Sequence, residues 1–218
     1  MRNIAALIAL AAGLISGAAV AGPTAELKVT GTIKPPACTP SFSGGGVVNY
    51  GVIPAASLTT GQYKTLDKKQ ITFQVNCDAP VKMGVTYTDN RAASRVSGIV
   101  AGVSANSAER FNFGLGTVAG KNVGGYALTL DTTATTADGN QIDNIYSSNI
   151  ANGWATAATG LDNANSFSFA QKGQTQPLAI KSLNAVINVQ AVLNKPENLP
   201  LNQDVPLDGS ATIEVKYL

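Results

Sequence analysis

An alternating segment near the N-terminus constrains this chain more than any other feature of the sequence. Over residues 25–33 the odd positions are apolar or glycine, whereas the even positions from 26 to 34 are all polar. This period of two predicts a β-strand with one apolar row. Pro35 and Pro36 follow directly and would uncouple the strand from the body of the chain. Such a strand can join another molecule's sheet as easily as its own.

Residues 1–21 have the pattern of a secretory signal peptide. Arg2 supplies the positive charge, residues 4–15 form an apolar run, and Ala19-Val20-Ala21 is an A-x-A cleavage pattern. The alternative is a retained transmembrane helix, but the apolar run is shorter than the roughly 20 residues that cross a bilayer. We therefore expect a soluble, exported mature chain that begins at residue 22.

The charge balance excludes some classes of partner. The chain has a formal net charge of +2, and Arg2 is the only charged residue in the predicted signal peptide, so the mature chain carries +2 − 1 = +1. A nearly neutral chain is not expected to bind nucleic acid or a membrane through basic residues. The 218 − 21 = 197 residues that remain suit one domain.

Cys38 and Cys77 are the two cysteines of the sequence. In an exported protein an even number of cysteines predicts disulfide bonding, here one structural disulfide. The alternative is a redox-active or metal-binding thiol pair. Neither a C-x-x-C spacing nor any histidine supports that alternative.

Apolar and polar residues alternate along much of the remaining chain. The series lie at residues 71–77, 81–87, 111–115, 126–130, 167–169, 183–193 and 211–217. Asp78-Ala79-Pro80 predicts a break between the first two series. Connections rich in Gly and Asn join the series, and no convincing amphipathic helix interrupts them. The pattern predicts an all-β sandwich.

Residues 131–165 depart from this alternation and are rich in Thr, Ala, Asn, Ser and Gly. One interpretation is a long surface loop or insertion, pinned to the core by Trp154. The other is an exposed recognition loop, because binding residues often lie on loops and an exposed tryptophan can anchor a ligand. The sequence does not decide between these two interpretations.

The sequence gives little support for an enzyme. It contains no histidine and neither a Ser-x-x-Lys nor a Gly-x-Ser-x-Gly motif. Asp131, Asp138 and Asp143 could supply a carboxylate pair for glycoside hydrolysis or a calcium site. They lie in a segment rich in Gly and Asn, where acidic residues favour turns. We therefore expect neither catalysis nor a cofactor.

Several motifs occur in an order that is typical of one protein family. They are the extension Leu27-Lys28-Val29-Thr30-Gly31-Thr32-Ile33, then Pro36-Ala37-Cys38, then Val75-Asn76-Cys77-Asp78, and finally Val215-Lys216-Tyr217-Leu218. Together with the signal peptide, they resemble a chaperone–usher pilus subunit. Gly114-Leu115-Gly116 and a mature chain longer than a standard shaft subunit resemble a fimbrial-like branch of that family.

The resemblance implies an incomplete immunoglobulin-like β-sandwich that is completed by a donated strand. Residues 22–36 would be the donor-strand extension, and residues 37–218 would be the pilin domain. The implied partners are a periplasmic chaperone, an outer-membrane usher and neighbouring pilus subunits. The chain would then be a structural subunit that is exported through the periplasm to a cell-surface fimbrium and supports adhesion, with a host or surface glycan as a receptor to be tested.

The resemblance also assigns roles to particular residues. Leu27, Val29, Gly31 and Ile33 would be the donor residues that point into a neighbour's groove, and Gly31 would stand where the groove has no room for a side chain. Ile213, Val215 and Tyr217 would form the edge that the chaperone recognises, and the Leu218 carboxylate would bind a basic group of the chaperone. Without the resemblance, Gly31 could instead mark an ordinary β-bulge.

A second function remains open at this point. The chain could be an adhesive tip subunit or a free-standing exported sugar-binding sandwich. In a two-domain adhesin the receptor domain normally comes first, whereas this chain begins with the donor-like segment. That order favours a subunit that donates a strand within a fibre.

Overall fold

The computed structural model describes residues 22–104 and 108–218. The predicted signal peptide, residues 1–21, lies outside the described residues. The chain divides into two compact units, Met1–Lys34 and Pro35–Leu218. In the described part of the first unit, residues 22–34 belong to no strand and are exposed. None of the helical turns in the described ranges is long and apolar enough to span a membrane.

The second unit is built from β-strands, which confirms the predicted fold class. The strands are β1 (Cys38–Phe42), β2 (Lys64–Thr65), β3 (Lys69–Asp89), β4 (Phe113–Gly114), β5 (Thr117–Val118), β6 (Lys121–Asn122), β7 (Gly124–Leu130), β8 (Thr136–Ala137), β9 (Asn140–Ser147), β10 (Ala155–Thr156), β11 (Gly160–Leu161), β12 (Ser166–Gln171), β13 (Ala179–Leu193) and β14 (Ala211–Tyr217). Short 3-10 turns lie at Ser43–Gly46, Ala55–Ser57, Ala92–Ser94, Glu109–Phe111, Ile150–Asn152 and Pro196–Asn198.

The long strand β3 belongs to both layers of the sandwich. Its first half pairs with β1 and β13, and β13 continues to β7. Its second half pairs with β14 and β12, and β12 continues to β9. These pairings are antiparallel. As a result, β1 and β14 both flank β3, and each of them forms an edge of its own layer.

The predicted break at Asp78-Ala79-Pro80 is wrong, because β3 runs through it without interruption. The ladder with β1 ends at Cys77, and the ladder with β13 resumes at Val81 after a register shift. Pro80 therefore needs no ladder partner at this point, where its missing N–H does no harm. The Asp78-Ala79-Pro80 motif therefore marks the point at which β3 passes from the first sheet to the second.

The core lies between the two layers and uses the apolar rows that the sequence predicts. Phe73 and Val75 of β3, Phe167 of β12, and Leu183 and Ile187 of β13 are at most 2% exposed. The series at 111–115 is a strand only at β4, because residues 109–111 form a 3-10 turn. Six of the predicted series therefore correspond to major strands, two of them to β3 and one each to β7, β12, β13 and β14.

Residues 131–165, for which a long loop or insertion is expected, contain strands β8 to β11. Strand β9 escapes recognition because its buried positions include Asn144 and Ser147 beside Ile142 and Ile145. Polar residues in buried positions remove the alternation on which strand prediction depends. Trp154 is half-buried and does not belong to the hydrophobic core of the described residues, so it does not pin this segment to the core.

The predicted disulfide between Cys38 and Cys77 is present. The two cysteines are directly paired residues of β1 and β3. The bond therefore fixes the start of β1 against the middle of the long strand.

Replacing both cysteines with serine is expected to lower the free energy of unfolding by about 4 kcal/mol, because the disulfide closes a loop of 39 residues. Urea denaturation of the double variant and of the parent protein measures this difference. Ala37→Ser, which adds a hydroxyl beside the intact disulfide, serves as the control. Equal stability of the double variant and the parent would contradict the expectation.

Candidate functional site

A groove opens between β14 and the chain that follows β1. Its volume is about 280 Å³. The floor is formed by Ile71, Leu115, Tyr126, Leu128, Ile187, Val189 and Ala191, one wall by Phe42, Gly46, Val48 and Tyr50, and the other wall by Leu207, Gly209, Ser210, Ala211 and Ile213. Apart from Tyr126, the side chains of the floor are aliphatic, and all of them belong to the hydrophobic core. The groove therefore reaches the core of the sandwich from its edge.

A second compartment of about 940 Å³ continues the groove beyond Tyr50 and Leu207. It lies between residues 47–58 and residues 199–207, and Val48 is common to both compartments. Near it, Val47 is 72% exposed and Val52 is 96% exposed. These two side chains therefore leave apolar surface in contact with water along the cleft.

Strand β14 forms one wall with an unpaired backbone edge. The Asn90 N–H donates to the Ser210 carbonyl, and the Leu218 N–H donates to the Lys82 carbonyl, so the even positions of β14 face β3. In an antiparallel ladder the odd positions then direct their N–H and C=O groups to the other edge. No strand of the described ranges pairs with that edge. An edge of this kind is a template for another strand.

The side chains at these odd positions form the apolar row predicted from the sequence. Ile213 and Val215 are half-buried and pack against the core, whereas Tyr217 is 55% exposed. The Leu218 side chain lies close to Gly84, where a Cβ atom would be 3.3 Å from Leu218 Cδ2. The structure thus places the four predicted acceptor residues on one strand and its end, and of these four Ile213 lines the groove.

The opposite wall also lacks strand partners. Residues 47–53 pair with no strand in the part of the chain that the structure describes. The Gly51 N–H donates to the Asn49 side chain 2.7 Å away, which is a local contact. The groove therefore lies between the free edge of β14 and a segment that pairs with no strand of the described ranges.

One end of the β14 wall is held by charged side chains. Arg91 Nη2 lies 2.8 Å from Asp208 Oδ2, and Arg91 Nε donates to the Asp208 carbonyl oxygen at 3.1 Å. The hydrogen bond to Asp208 raises the pKa of Arg91. A Cβ atom at Gly209 would lie 2.9 Å from the Tyr126 ring, so this part of the wall requires glycine. Asp208 and Gly209, which lead into β14, are therefore closely packed at the floor of the groove.

The other end of the wall is held beside the disulfide. The Cys38 N–H donates to the Tyr217 hydroxyl oxygen at 3.0 Å, which joins the end of β14 to the start of β1. The Ala37 N–H donates to Asp78 Oδ1 at 2.9 Å. Tyr217, expected to take part in recognition, therefore also makes a structural contact within the fold.

The predicted donor residues are exposed in the first unit. Leu27 and Val29 are each 89% exposed, and Ile33 is 99% exposed. A Cβ atom at Gly31 would have no neighbour within 4 Å. Any requirement for glycine at this position must therefore come from a second molecule, and the donor role stays a prediction.

The three aspartates that were considered for catalysis or calcium binding accept hydrogen bonds within the fold. Asp131 accepts from Thr133 and Ala134, Asp138 from Lys181 and Ser182, and Asp143 from Gly173. The Thr133 hydroxyl and then the Ala134 N–H lower the pKa of Asp131. Among residues 22–104 and 108–218, no three His, Cys, Asp or Glu side chains come together as metal ligands.

The pKa values of the other two carboxyls are also below the usual range. Burial would raise the pKa of Asp138, but its hydrogen bonds from Ser182 and Lys181 outweigh that effect. The Gly173 N–H and Lys172 lower the pKa of Asp143. A raised pKa, which a general acid needs at neutral pH, occurs at none of the three aspartates.

Comparison with known proteins finds relatives along the whole chain. The family described as "Protein of unknown function (DUF1120)" matches residues 27–127. The chain is 28% identical over 241 residues to "Uncharacterized protein YhcF" of Escherichia coli (strain K12), with 100% of both chains covered. It is also 28% identical over 254 residues to "Protein GltF" of the same strain, covering 100% of this chain and 98% of that protein.

The match to the family begins at Leu27, the first of the predicted donor residues. The two relatives align over the donor segment, the groove and the terminal strand, because the alignments cover the full chain. The names of these two relatives state neither an activity nor an assembly that they belong to. The comparisons therefore support a shared architecture from end to end.

We expect Asp208→Asn to loosen the entry into β14, because the charged pair with Arg91 is lost while the side chain keeps its size. Amide hydrogen exchange should become faster in residues 211–217 and should not change in β13. Asp204→Asn is the matched control, since Asp204 is an exposed aspartate of the same segment without a hydrogen-bond partner among the described residues. Equal exchange in the two variants would show that Arg91 does not hold this wall.

Proposed function

We propose that this chain is a structural subunit of a surface pilus that is assembled by the chaperone–usher route through donor-strand exchange. The observation that carries the proposal is the groove, whose floor consists of core side chains and which lies between the free edge of β14 and residues 47–53, which pair with no strand of the described ranges. An extended peptide that enters the groove would pair with the free edge of β14 and cover the apolar floor at the same time. This mode of recognition is β-strand addition.

The chain also carries a segment with the chemistry to fill such a groove. Leu27, Val29 and Ile33 are almost fully exposed, and their period of two would place them on one face of the segment once it is extended. At roughly 3.3 Å per residue, the nine residues 25–33 would span about 30 Å, and the seven residues of β14 span about 23 Å. The segment is therefore long enough to pair along the whole free edge of β14.

A donor at one end of the chain and an acceptor groove in its body give a head-to-tail interface. Interfaces that join two different surfaces of the same chain produce open filaments when the rotation between copies does not close a ring. Each subunit would fill the groove of one neighbour and be filled by another. A fibre built this way supports adhesion by extending from the cell surface, and it needs no catalytic group or cofactor.

An empty groove would be unfavourable before assembly. Unpaired backbone groups next to apolar side chains promote aggregation. A periplasmic chaperone that pairs with the β14 edge would protect the subunit, and an outer-membrane usher would be the place where a neighbour's donor segment replaces the chaperone. The row formed by Ile213, Val215 and Tyr217, together with the carboxylate of Leu218, is the surface proposed for the chaperone.

We expect residues 22–218 expressed alone in the periplasm to aggregate or to be degraded, and we expect a copy of residues 24–34 fused after Leu218 to rescue the soluble monomer. The reason is that the fused copy can enter the groove and pair with β14. Soluble yield and the thermal midpoint are the measurements. The control is the same fusion with Leu27→Asp and Val29→Asp in the added copy, which should fail to rescue. A monomer that is stable without any added copy would contradict the proposal.

We further expect Gly31→Leu to leave the subunit folded but to block fibre formation. The added side chain would overpack a neighbour's groove, at a cost of about 1 to 3 kcal/mol. Gly22→Leu is the matched control, because Gly22 is equally open but lies before the alternating row. Periplasmic abundance and heat-resistant polymer ladders are the readouts.

Val215→Asp should have the opposite effect and destabilise the subunit itself, since its carboxylate would be desolvated on the apolar row of β14. The same abundance assay measures this loss. If the Gly31→Leu subunit is itself destabilised but still forms normal fibres, the N-terminal segment folds within its own subunit.

A further inference from the structure

Tyr50 is the main attachment of one groove wall. Within residues 47–58, the Tyr50 hydroxyl makes the hydrogen bonds that join the segment to described residues outside it. It donates to the Val189 carbonyl oxygen at 3.0 Å and accepts from the Ala191 N–H at 3.2 Å. Both partners belong to β13, which forms the floor of the groove.

A gap in the sheet leaves these two backbone groups available. Strand β3 pairs with β13 as far as Lys69 opposite Val189, and β2 pairs with β13 from Thr65 opposite Val192. Between these ladders the chain at 67–68 is exposed and pairs with no strand. The Tyr50 hydroxyl fills the gap and takes the place of the missing backbone partner.

The Tyr50 ring occupies the junction of the two groove compartments, since it lines both of them. It is half-buried, and the Lys69 amine lies 5.5 Å from the ring centroid. Burial raises the pKa of Tyr50, so the hydroxyl keeps its proton and remains a donor to Val189 at neutral pH. Neighbouring Val48 and Ile53 pack against the core but make no hydrogen bond to it.

We propose that Tyr50 is a positioning residue that holds wall residues 47–53 at the distance from β14 that admits one extended strand. This inference rests on the proposed function, because it assigns a role to Tyr50 in the binding of the donor segment. The physical reason is preorganisation: a wall already fixed to the floor loses less conformational freedom when a strand binds. Without the hydroxyl, Val48 and Ile53 would still attract the wall to the core, but nothing would set its register on β13.

The test uses Tyr50→Phe, which keeps the ring and removes only the hydroxyl. Because the mature chain alone is expected to aggregate, residues 22–218 are refolded together with a fluorescently labelled synthetic peptide of residues 22–36, and dissociation is followed after an excess of unlabelled peptide is added. The loss of the two hydrogen bonds is expected to accelerate peptide dissociation about tenfold. Tyr63→Phe is the matched control, because Tyr63 also lies beneath a lysine amine, Lys195 at 5.3 Å, but lines neither compartment.

A second measurement separates positioning from general stability. In Tyr50→Phe the amide of Ala191 should exchange faster, and backbone order parameters of residues 47–53 should fall, while amides in the centre of β3 stay protected. Lys69→Gln, which removes the cation above the ring and keeps the hydroxyl, should change peptide dissociation much less than Tyr50→Phe.

The outcomes distinguish this inference from the proposed function. Unchanged order in residues 47–53, or peptide dissociation equal to that of Tyr63→Phe, overturns the role of Tyr50 even if the peptide binds. A uniform loss of protection throughout the sandwich shows a merely structural residue and also overturns it. If the parent chain binds no peptide, the proposed function fails, and the role of Tyr50 in donor binding fails with it. The order parameters of residues 47–53 still show whether Tyr50 fixes the wall.

Discussion

The unpaired edge of β14 is the constraint on which the rest of this structure depends. A strand in a sandwich normally has partners on both sides or ends at a protected edge, because unpaired N–H and C=O groups are costly when they lie beside apolar surface. Here Ile213 and Val215 pack against the core, Ile213 lines the groove, and the outer backbone edge of β14 has no strand partner among the described residues. The strands within the two layers are thus paired, whereas the outer edge of β14 has no strand partner among the described residues.

The long strand β3 explains why this margin exists. Because β3 passes from one sheet to the other near Pro80, it carries β1 on its first half and β14 on its second half. The two edge strands therefore meet at one side of the sandwich without pairing with each other. The disulfide at Cys77 and the contact between Tyr217 and Cys38 close the margin at one end, and the Arg91–Asp208 pair fixes the wall at the other.

Alternation in the sequence was sufficient to predict much of this architecture. The apolar rows of β3, β13 and β14 follow a period of two, and the two cysteines form the disulfide that their even number predicts. Prediction failed at residues 131–165 because β9 buries Asn144, whose side chain donates to the Ala158 carbonyl. This contact joins a side chain to the backbone, so the apolar pattern of the sequence carries no sign of it.

The sequence by itself determined most of the strands that have one apolar face, the pair of cysteines that can form a disulfide, and the alternation of apolar and polar residues in the N-terminal segment. These properties depend on the order of residues along one strand. Only the tertiary structure decided that the proline at 80 marks a change of sheet, that β14 keeps a free edge, and that Tyr50 reaches Val189 and Ala191. Those features join residues more than a hundred positions apart, and they arise from how the strands are arranged in space, which no local pattern encodes.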